Sequence, residues 1–315
     1  TVSGIWVAKF EASPEGATTN TSNSEYNGTG KKLQVKPGVS SWRSIAISNI
    51  YDVCKNYNST LNSHMMKNDE WGAVAYLAQS KYGNKQGTDE ESGIWNNPYT
   101  EGYIYENASN SYGMENYSTT LTGMAGETRD IGTNYYSKVQ EGSKVDNGDS
   151  ITIKYNNVQL VANGGGPNGT LGEEYTRTYY RYNTTNGVKT STTRNIYGIY
   201  DMSGGSYECM ASFLANGTSS YVTTMKTKPS KYIEQYAGTG ATESAEDKQA
   251  NYEANANVYG DAVYETSSKG DGTQSSWNGD YSYFPYLSSP FFIRGGNYNN
   301  TANAGVFYFN HNWGG

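Results

Sequence analysis

The chain of 315 residues contains few of the side chains that metal and nucleophile chemistry use: two histidines, His64 and His311, and two cysteines, Cys54 and Cys209. These positions exclude a Cys-x-x-Cys pair and a two-histidine motif on one helix, and with them a histidine-based zinc site. The sequence also lacks a Walker A motif and a Gly-x-Ser-x-Gly nucleophile turn. Nucleotide binding and hydrolysis by a catalytic triad are therefore not expected.

Charged residues are scarce as well, at 17% of the chain, and the net charge is −7. Lysine and arginine form no cluster larger than pairs such as Lys31-Lys32, so we expect no nucleic acid partner. The longest apolar runs, such as residues 73–77, are much shorter than the roughly 20 residues needed to span a bilayer.

Three residue types, 37 Gly, 34 Asn and 31 Tyr, make up about a third of the chain. Hydrophobic residues account for only 35%, which resembles a disordered composition. Disordered chains are poor in aromatic residues, however, whereas this chain is 14% aromatic. A tyrosine ring can be buried while its hydroxyl keeps a hydrogen-bond partner. The composition therefore predicts a folded chain with a tyrosine-lined interior, and we expect one domain.

Apolar residues follow helical spacing twice, from Ile47 to Cys54 and from Trp71 to Ala78, which predicts helices over about 44–57 and 67–80. Alternation predicts a strand within residues 1–13, and the Gly, Ser, Thr and Asn content of residues 14–38 predicts a loop.

Residues 83–190 are mostly polar turns with short β-prone pieces at 150–154 and 158–161, and Gly164–Gly166 marks a loop. A short exposed helix is predicted near 242–256. The cysteine count leaves two alternatives open, a long-range disulfide between Cys54 and Cys209 or two buried free thiols.

Four segments, in order, resemble the formylglycine-generating enzyme/sulfatase-modifying-factor family, a branch of the C-type-lectin-like folds. Residues 4–13 (GIWVAKFEAS) resemble its opening strand, and residues 67–76 (KNDEWGAVAY) resemble a helix of the type TEAEWEYAA. Residues 195–208 (NIYGIYDMSGGSYE) resemble NafGLYDMxGNVWE, and residues 292–298 (FIRGGNY) resemble vlRGGSW.

This resemblance implies a loop-rich α+β domain with two helices and short antiparallel strands. It would span residues 1–315, with large loop insertions at about 84–190 and 226–280. Arg294 is expected to form a structural buried pair, and Gly295-Gly296 to supply positive φ or close backbone approach. The predicted core residues are Trp71, Tyr197, Tyr200, Met202 and Tyr207.

The sequence departs from the family pattern at residues that the enzymes of the family use for catalysis. The enzymes use a late cysteine pair with copper, whereas this chain has no cysteine after Cys209, and the related histidine-rich iron site would need more than two histidines. We therefore expect no enzyme and no cofactor. The GNVWE element often supports calcium; here Gly205 replaces its Asn while Glu208 remains, which leaves calcium as the one cofactor candidate.

A closer resemblance is to bacterial surface proteins that carry this lectin-like domain behind a pilin-like hydrophobic N-terminal helix. Residues 63–83, 259–267 and 280–286 carry it. The resemblance implies a pilin-like helix before residue 1, which would be the only membrane contact, and an extracellular location on a bacterial cell surface or pilus-like filament.

The segment after Arg294-Gly295-Gly296 is dominated by asparagine and aromatic residues and resembles the variable region of proteins diversified by retroelements. Val306, Phe307 and Phe309 are expected to belong partly to the core. The candidate ligand-binding residues, expected to be exposed, are Asn297, Tyr298, Asn299, Asn300, Tyr308, Asn310, His311, Asn312 and Trp313. Tyr and Trp give rigid contact area, and Asn gives adaptable hydrogen bonds.

These features predict an adhesin-like binding domain that recognises a protein or glycan ligand on another cell through its C-terminal segment. One alternative is a structural subunit of a type IV pilus-like filament, in which identical subunits pack together without a dedicated ligand. A further alternative is a divergent sulfatase-modifying oxidase, which would carry copper or iron.

Overall fold

Two helices form where the apolar spacing predicts them. They are α1, Ile47–Lys55, and α2, Asn68–Gln79, so both predictions are confirmed. The structure is a computed structural model. It describes residues 4–19, 30–84, 93–99, 104–106, 112–114, 120–126, 140–158, 173–272, 276–277, 279–298, 300 and 303–315.

The start of α2 is held by its own side chains. The Glu70 carboxylate accepts a hydrogen bond from the backbone N–H of Lys67 at 3.0 Å, and Asp69 and Glu70 place negative charge in the first turn. Trp71 is buried one turn later and donates from Nε1 to the carbonyl of Val306 at 2.7 Å. The helix is thereby fixed to the C-terminal segment.

The family resemblance implies two helices, and the described residues form two more, of which one was predicted from the sequence. They are α3, Ser220–Lys226, and α4, Ala245–Ala254, each beginning at a serine cap, Ser219 and Ser244. The short helix expected near 242–256 is α4, but it is not fully exposed, since one side buries Lys248, Asn251 and Tyr252. The Asn251 side chain hydrogen-bonds to backbone groups of Gly240 and Pro285, which the polar sequence did not predict.

The central sheet contains four strands in the order β10-β9-β11-β12. These are β9 (Glu208–Leu214), β10 (Glu234–Tyr236), β11 (Phe291–Arg294) and β12 (Phe309–Asn312). Strand β10 pairs with β9 in parallel, and the other pairs are antiparallel. Strand β12 is an edge strand, so the C-terminal segment lies at one side of the sheet.

A second four-stranded antiparallel sheet occupies the region predicted as polar turns. Its order is β5-β8-β7-β6, with β5 at Met124–Ala125, β6 at Gln140–Asp146, β7 at Ser150–Val158 and β8 at Glu173–Arg181. The piece expected at 150–154 lies inside β7. Residues 159–161 and 164–166 lie outside the described residues. Among the described side chains of these strands, Ile151, Ile153 and Tyr179 are buried together and most others are at least partly exposed, which explains the polar sequence.

The N-terminal region departs from the predicted strand and loop. Strand β1 covers only Ala12–Pro14 and pairs with β2, Leu33–Val35, inside the predicted loop. Residues 4–11 form no regular strand. Their backbone hydrogen bonds are isolated ones, such as that in which the Tyr200 N–H donates to the Lys9 carbonyl at 2.8 Å. A small hairpin joins β3, Ile104–Glu106, to β4, Tyr112–Met114.

The main core packs α2 against the central sheet. Trp71, Tyr200 and Met202 are buried as predicted, and so are Val306, Phe307 and Phe309. Tyr197, at 88% exposed, and Tyr207, at 39%, were wrongly predicted as core residues. Tyr197 lies in an irregular turn, where its N–H bonds to the Asn195 side chain, and Tyr207 stacks on Tyr308 at the surface instead.

The architecture is mixed α+β, with helices packed beside antiparallel sheets. The assignment to a lectin-like fold, the single domain and the insertion boundaries stay predictions. Within the described part of the chain, every helix is too short or too polar to cross a bilayer.

Candidate functional site

The C-terminal segment has a fixed backbone. Strand β12 pairs with β11 from Asn312 opposite Phe291 to Phe309 opposite Arg294. The connection between the two strands is held by the Tyr298 N–H, which donates to the Gly205 carbonyl at 2.8 Å. The segment is therefore a framework that presents side chains from defined positions.

Gly295 and Gly296 make this connection as expected. Their φ angles are +78° and +76°, in the left-handed region that favours glycine. A Cβ at Gly295 would meet the Glu208 carboxylate, and one at Gly296 would meet Ala304 Cβ at 2.8 Å. The glycine pair is therefore required by backbone conformation and by close packing.

Arg294 is fully buried but does not form the predicted direct ion pair. Its guanidinium lies 5.7 Å from the ring centres of Trp71 and Phe309, and Nη2 donates to the Ala262 carbonyl at 3.0 Å. Burial lowers its pKa to about 10, and the nearby Asp261 carboxylate opposes that shift. No carboxylate within the described ranges reaches ion-pair distance, so backbone and ring contacts hold this cation.

The predicted ligand-binding residues form a strip and not one cluster. Asn297, Tyr298 and Asn300 lie in the connection at one end of the β11–β12 pair, and Trp313 follows β12 at the other end. At about 3.4 Å per residue, the strand separates these ends by roughly 10 Å. Asn299 lies outside the described residues. Along β12, Asn310 and Asn312 face one side of the sheet and His311 faces the other.

Tyr308 corrects the prediction, because it is buried at 1% exposed. Its hydroxyl accepts a hydrogen bond from Asn310 Nδ2 at 2.9 Å, and burial raises its pKa. Tyr308 is therefore a buried residue that holds the Asn310 side chain in place, and it is not itself exposed to a ligand. Trp313, at 56% exposed, agrees with the prediction, and the remaining described candidates are partly exposed.

A row of aromatic rings passes around β12. Neighbouring ring centres lie 4.7 to 6.1 Å apart, in the contact range of aromatic pairs. We call this set the aromatic row; in order, its members are Tyr207, Tyr308, Tyr281, Tyr283, His311 and Tyr286. Four of them, the tyrosines at 207, 281, 283 and 286, were not predicted as site residues. Three tyrosines within residues 281–286 were the available signal in the sequence.

His311 is enclosed by the row. Its Nδ1 lies 2.8 Å from Ser289 Oγ, and the rings of Tyr283 and Tyr286 pack on it at 4.8 and 4.7 Å. Glu243 and Lys248 are the charged groups that affect it, with opposite signs. Burial dominates and lowers the pKa of His311 to about 4, so the imidazole is neutral at physiological pH.

Ser289 and His311 have the atoms of a nucleophile and a base, but the pKa of His311 is too low for it to act as the base. A base with a pKa of about 4 gains little by taking a proton from a hydroxyl at neutral pH. Glu243 does not orient the ring, because its carboxylate accepts a hydrogen bond from the Tyr283 hydroxyl at 2.9 Å. This contact fits a packing role better than a catalytic one.

The two histidines should titrate on opposite sides of the usual histidine pKa. His64 Nε2 lies 2.7 Å from Glu70 Oε1, and this hydrogen bond raises the pKa of His64. Burial lowers that of His311 to about 4. We expect a pH titration followed by NMR to give two resolved imidazole curves, with the His64→Gln variant assigning them. A His311 curve near that of a free imidazole would contradict the enclosed position.

Three carboxylates meet beneath the connection. Glu11 accepts hydrogen bonds from Ser41 Oγ at 2.5 Å and the Ser206 N–H at 2.9 Å. Asp201 accepts from the Gly123 N–H and Asn97 Nδ2, both at 2.9 Å. Burial raises the pKa of Asp201 to about 6 and holds that of Glu11 well above its usual range.

Glu208 is the third carboxylate of this group. Its Oε2 is enclosed and has no hydrogen-bond partner among the described residues, although part of the residue reaches the surface. Burial and the neighbouring charges of Glu11 and Asp201 raise its pKa well above the usual range. The group thus favours bound protons.

Calcium does not fit these residues well. A Cβ at Gly205 would lie 2.5 Å from Glu11 Oε1, so the glutamate already fills the space of the Asn side chain that the family pattern has there. The oxygens of Glu11 and Asp201 accept from protein donors. Within the described ranges, no group of three His, Cys, Asp or Glu side chains is arranged to hold a metal ion.

Cys54 and Cys209 are free thiols that pack against the same apolar cluster, which includes Ile47 and Phe213. This arrangement corresponds to the second of the two alternatives. Burial raises the pKa of each thiol to about 12, so both are protonated at neutral pH. Protonated thiols are poor nucleophiles and poor metal ligands.

Comparison of the chain with protein-family models, curated proteins and solved structures finds no match in any of the three.

Proposed function

We propose that the protein is a non-enzymatic, adhesin-like binding domain, displayed outside a bacterial cell on its surface or on a pilus-like filament. It recognises a protein or glycan ligand through the strip within residues 297–313 and the exposed Tyr207. The aromatic row supports this surface, and its members Tyr283, Tyr286 and Tyr308 are buried. The observation that carries this proposal is the aromatic row around an edge strand whose backbone is fixed on one side by β11.

This arrangement suits recognition because the contact groups are rigid before the ligand arrives. Tyr207 stacks on the buried Tyr308, whose hydroxyl also orders the Asn310 amide. Rigid aromatic rings lose little side-chain entropy on binding, and neighbouring amides supply hydrogen bonds to hydroxyl or peptide groups. Trp313 extends the strip, braced by the Tyr221 ring at 5.7 Å.

The edge of β12 is not well suited to pairing with a strand from another subunit. The Phe309 N–H donates to the Tyr281 carbonyl at 3.2 Å, and the Tyr283 N–H donates to the Phe309 carbonyl at 3.0 Å. The next outward N–H, that of His311, donates to Asn310 Oδ1 at 2.8 Å. Recognition through side chains is therefore favoured here over strand addition.

The proposal predicts the behaviour of a triple variant, Tyr207→Ala/Tyr298→Ala/Trp313→Ala, which spares the buried Tyr308. We expect binding to intact cells or to an immobilised glycan panel to weaken by about tenfold or more, because exposed aromatics often dominate interface energy. Unfolding measurements should show that the variant remains folded.

A matched control removes two tyrosines and one tryptophan elsewhere: Tyr82→Ala/Tyr197→Ala/Trp6→Ala. These side chains are 70%, 88% and 99% exposed. The control variant should bind as the parent does. Equal binding by all three proteins would reject the strip as the recognition surface.

The structural filament subunit is the second candidate, and the same exposed aromatics outside the strip favour it. Single exposed apolar residues are common on soluble proteins, but a tryptophan at 99% exposed suits subunit packing. If the domain forms polymers whose assembly is lost in the control variant while no ligand binding is found, the structural function is supported instead.

A further inference from the structure

A local excess of lysine occurs on a chain whose net charge is −7. The segment 226–231 carries Lys226, Lys228 and Lys231, and it runs beside the C-terminal end of α1, where Lys55 lies. Lys228 Nζ lies 2.6 Å from Asp52 of α1, which fixes the segment against that helix. We call these four lysines the lysine patch.

Two of the lysines converge on one ring. The ammonium groups of Lys55 and Lys231 lie 4.3 and 4.6 Å from the centre of the Tyr232 ring. The Tyr232 hydroxyl donates to Asn62 Oδ1, which Lys55 Nζ also approaches at 3.3 Å. The ring and one amide thus hold two positive charges close together.

Neither ammonium group has an acidic partner among the described residues. In the part of the chain that the structure describes, no carboxylate lies within ion-pair distance of Lys55 or Lys231. The acids closest in sequence are engaged elsewhere, Asp52 with Lys228 and Glu234 with the Asn68 N–H and Ser212 Oγ. Two positive charges that share one ring, with no carboxylate of the described residues to offset them, both attract an external anion.

The loop beside these lysines has the chemistry of a sugar-binding surface. Residues 56–62 (NYNSTLN) expose amide and hydroxyl groups, and the ring of Tyr57 is 50% exposed. Amides and hydroxyls can hydrogen-bond to sugar hydroxyls, while an aromatic ring can cover the apolar face of a pyranose. An acidic peptide would form ion pairs with the lysines but would make fewer contacts with this loop than a polysaccharide would.

We propose that the lysine patch, together with the loop 56–62, binds an anionic polysaccharide through its sulfate or carboxylate groups. This surface is separate from the strip. The Ile47 N–H, at the start of α1, donates to the Gly314 carbonyl beside Trp313, whereas Lys55 ends the helix about 12 Å away. The two proposals can therefore fail independently.

The test uses immobilised dextran sulfate as the probe, with unsulfated dextran as the reference surface. The parent should bind the sulfated polymer and not the reference, and binding should weaken as salt rises. The double variant Lys55→Gln/Lys231→Gln should bind about tenfold more weakly, since two exposed ion pairs are lost. The variant Lys55→Arg/Lys231→Arg should keep most of the binding.

The matched control is Lys81→Gln/Lys269→Gln, which removes the same charge from two exposed lysines elsewhere. Lys81 also lies over a tyrosine, 4.8 Å from the ring centre of Tyr82. This control should bind as the parent does, and so should the triple variant of the strip.

Three results would overturn the proposal. The first is no binding of dextran sulfate by the parent. The second is an equal loss in both glutamine variants, which would indicate general charge attraction. The third is equally tight binding of polyglutamate, which would identify an acidic polypeptide as the partner.

Discussion

Replacement of Glu208 by glutamine is expected to stabilise the protein at mildly alkaline pH. The Glu208 carboxylate is enclosed beside Glu11 and Asp201, and its Oε2 has no hydrogen-bond partner among the described residues. A neutral amide removes the repulsion and can donate a hydrogen bond to Glu11. We expect a gain of about 1–3 kcal/mol in the free energy of unfolding, the range for relieving an unsatisfied buried group.

The gain should disappear at acid pH, because the carboxyl group is then protonated in the parent as well. The same linkage governs the parent. Burial raises the pKa of Asp201 from 3.8 to about 6, so the folded state holds this proton while the unfolded state releases it. Stability is full below the unfolded pKa and falls as pH rises from about 4 through about 6, by roughly 3 kcal/mol for this group.

Chemical denaturation of the parent and of Glu208→Gln at several pH values measures this effect, with Glu15→Gln as the control on an exposed glutamate. The control should leave the pH dependence unchanged. A Glu208→Gln variant that is destabilised at every pH would show that the protein needs the charged carboxylate, as a bound cation would require.

Gly72→Ala should destabilise the protein severely, although alanine is the better helix former by about 1 kcal/mol. Gly72 lies in α2, and a Cβ there would collide with the Gly260 carbonyl oxygen and lie 2.8 Å from Asp261 Cα. Both contacts are with backbone, which cannot rotate away. We expect a loss of about 3 kcal/mol or more in the free energy of unfolding.

Urea unfolding of Gly72→Ala beside Gly4→Ala tests this prediction. Gly4 has open space where a Cβ would be, so its variant should match the parent. The substitution should also disturb the backbone of the strip. The Ala262 carbonyl, next to Asp261, accepts a hydrogen bond from Arg294 at the start of the β11–β12 connection. A neutral or stabilising Gly72→Ala would contradict the close contact of α2 with residues 260–261.

The predicted helices and the partly predicted second sheet show which sequence signals were reliable. Helices α1 and α2 bury one face against the core, so their apolar residues recur at helical spacing. In the second sheet, the β-prone piece predicted at 150–154 lies in β7, where Ile151 and Ile153 are buried, whereas β6 and β8 were not predicted. Most residues of β6 and β8 are polar or tyrosine, so their composition resembles that of turns.

The candidate site was predicted in part. The sequence indicated the asparagine and aromatic content of residues 297–313 and the role of the glycine pair, but not which side chains are exposed. Tyr308 and Trp313 look alike in sequence, yet one is buried under Tyr207 and the other is exposed. Tyr207 and Tyr281 join them from distant segments, and no local pattern contains that information.

The sequence alone determined the composition, three of the four α-helices of the described residues, the glycine turn after Arg294 and the scarcity of catalytic side chains. These properties depend on residue type and local spacing. Tertiary structure decided the aromatic row, the enclosed carboxylates and the convergence of Lys55 and Lys231 on Tyr232. Each of these joins residues that are far apart in the chain, and their pKa values and exposures depend on the packing that brings them together.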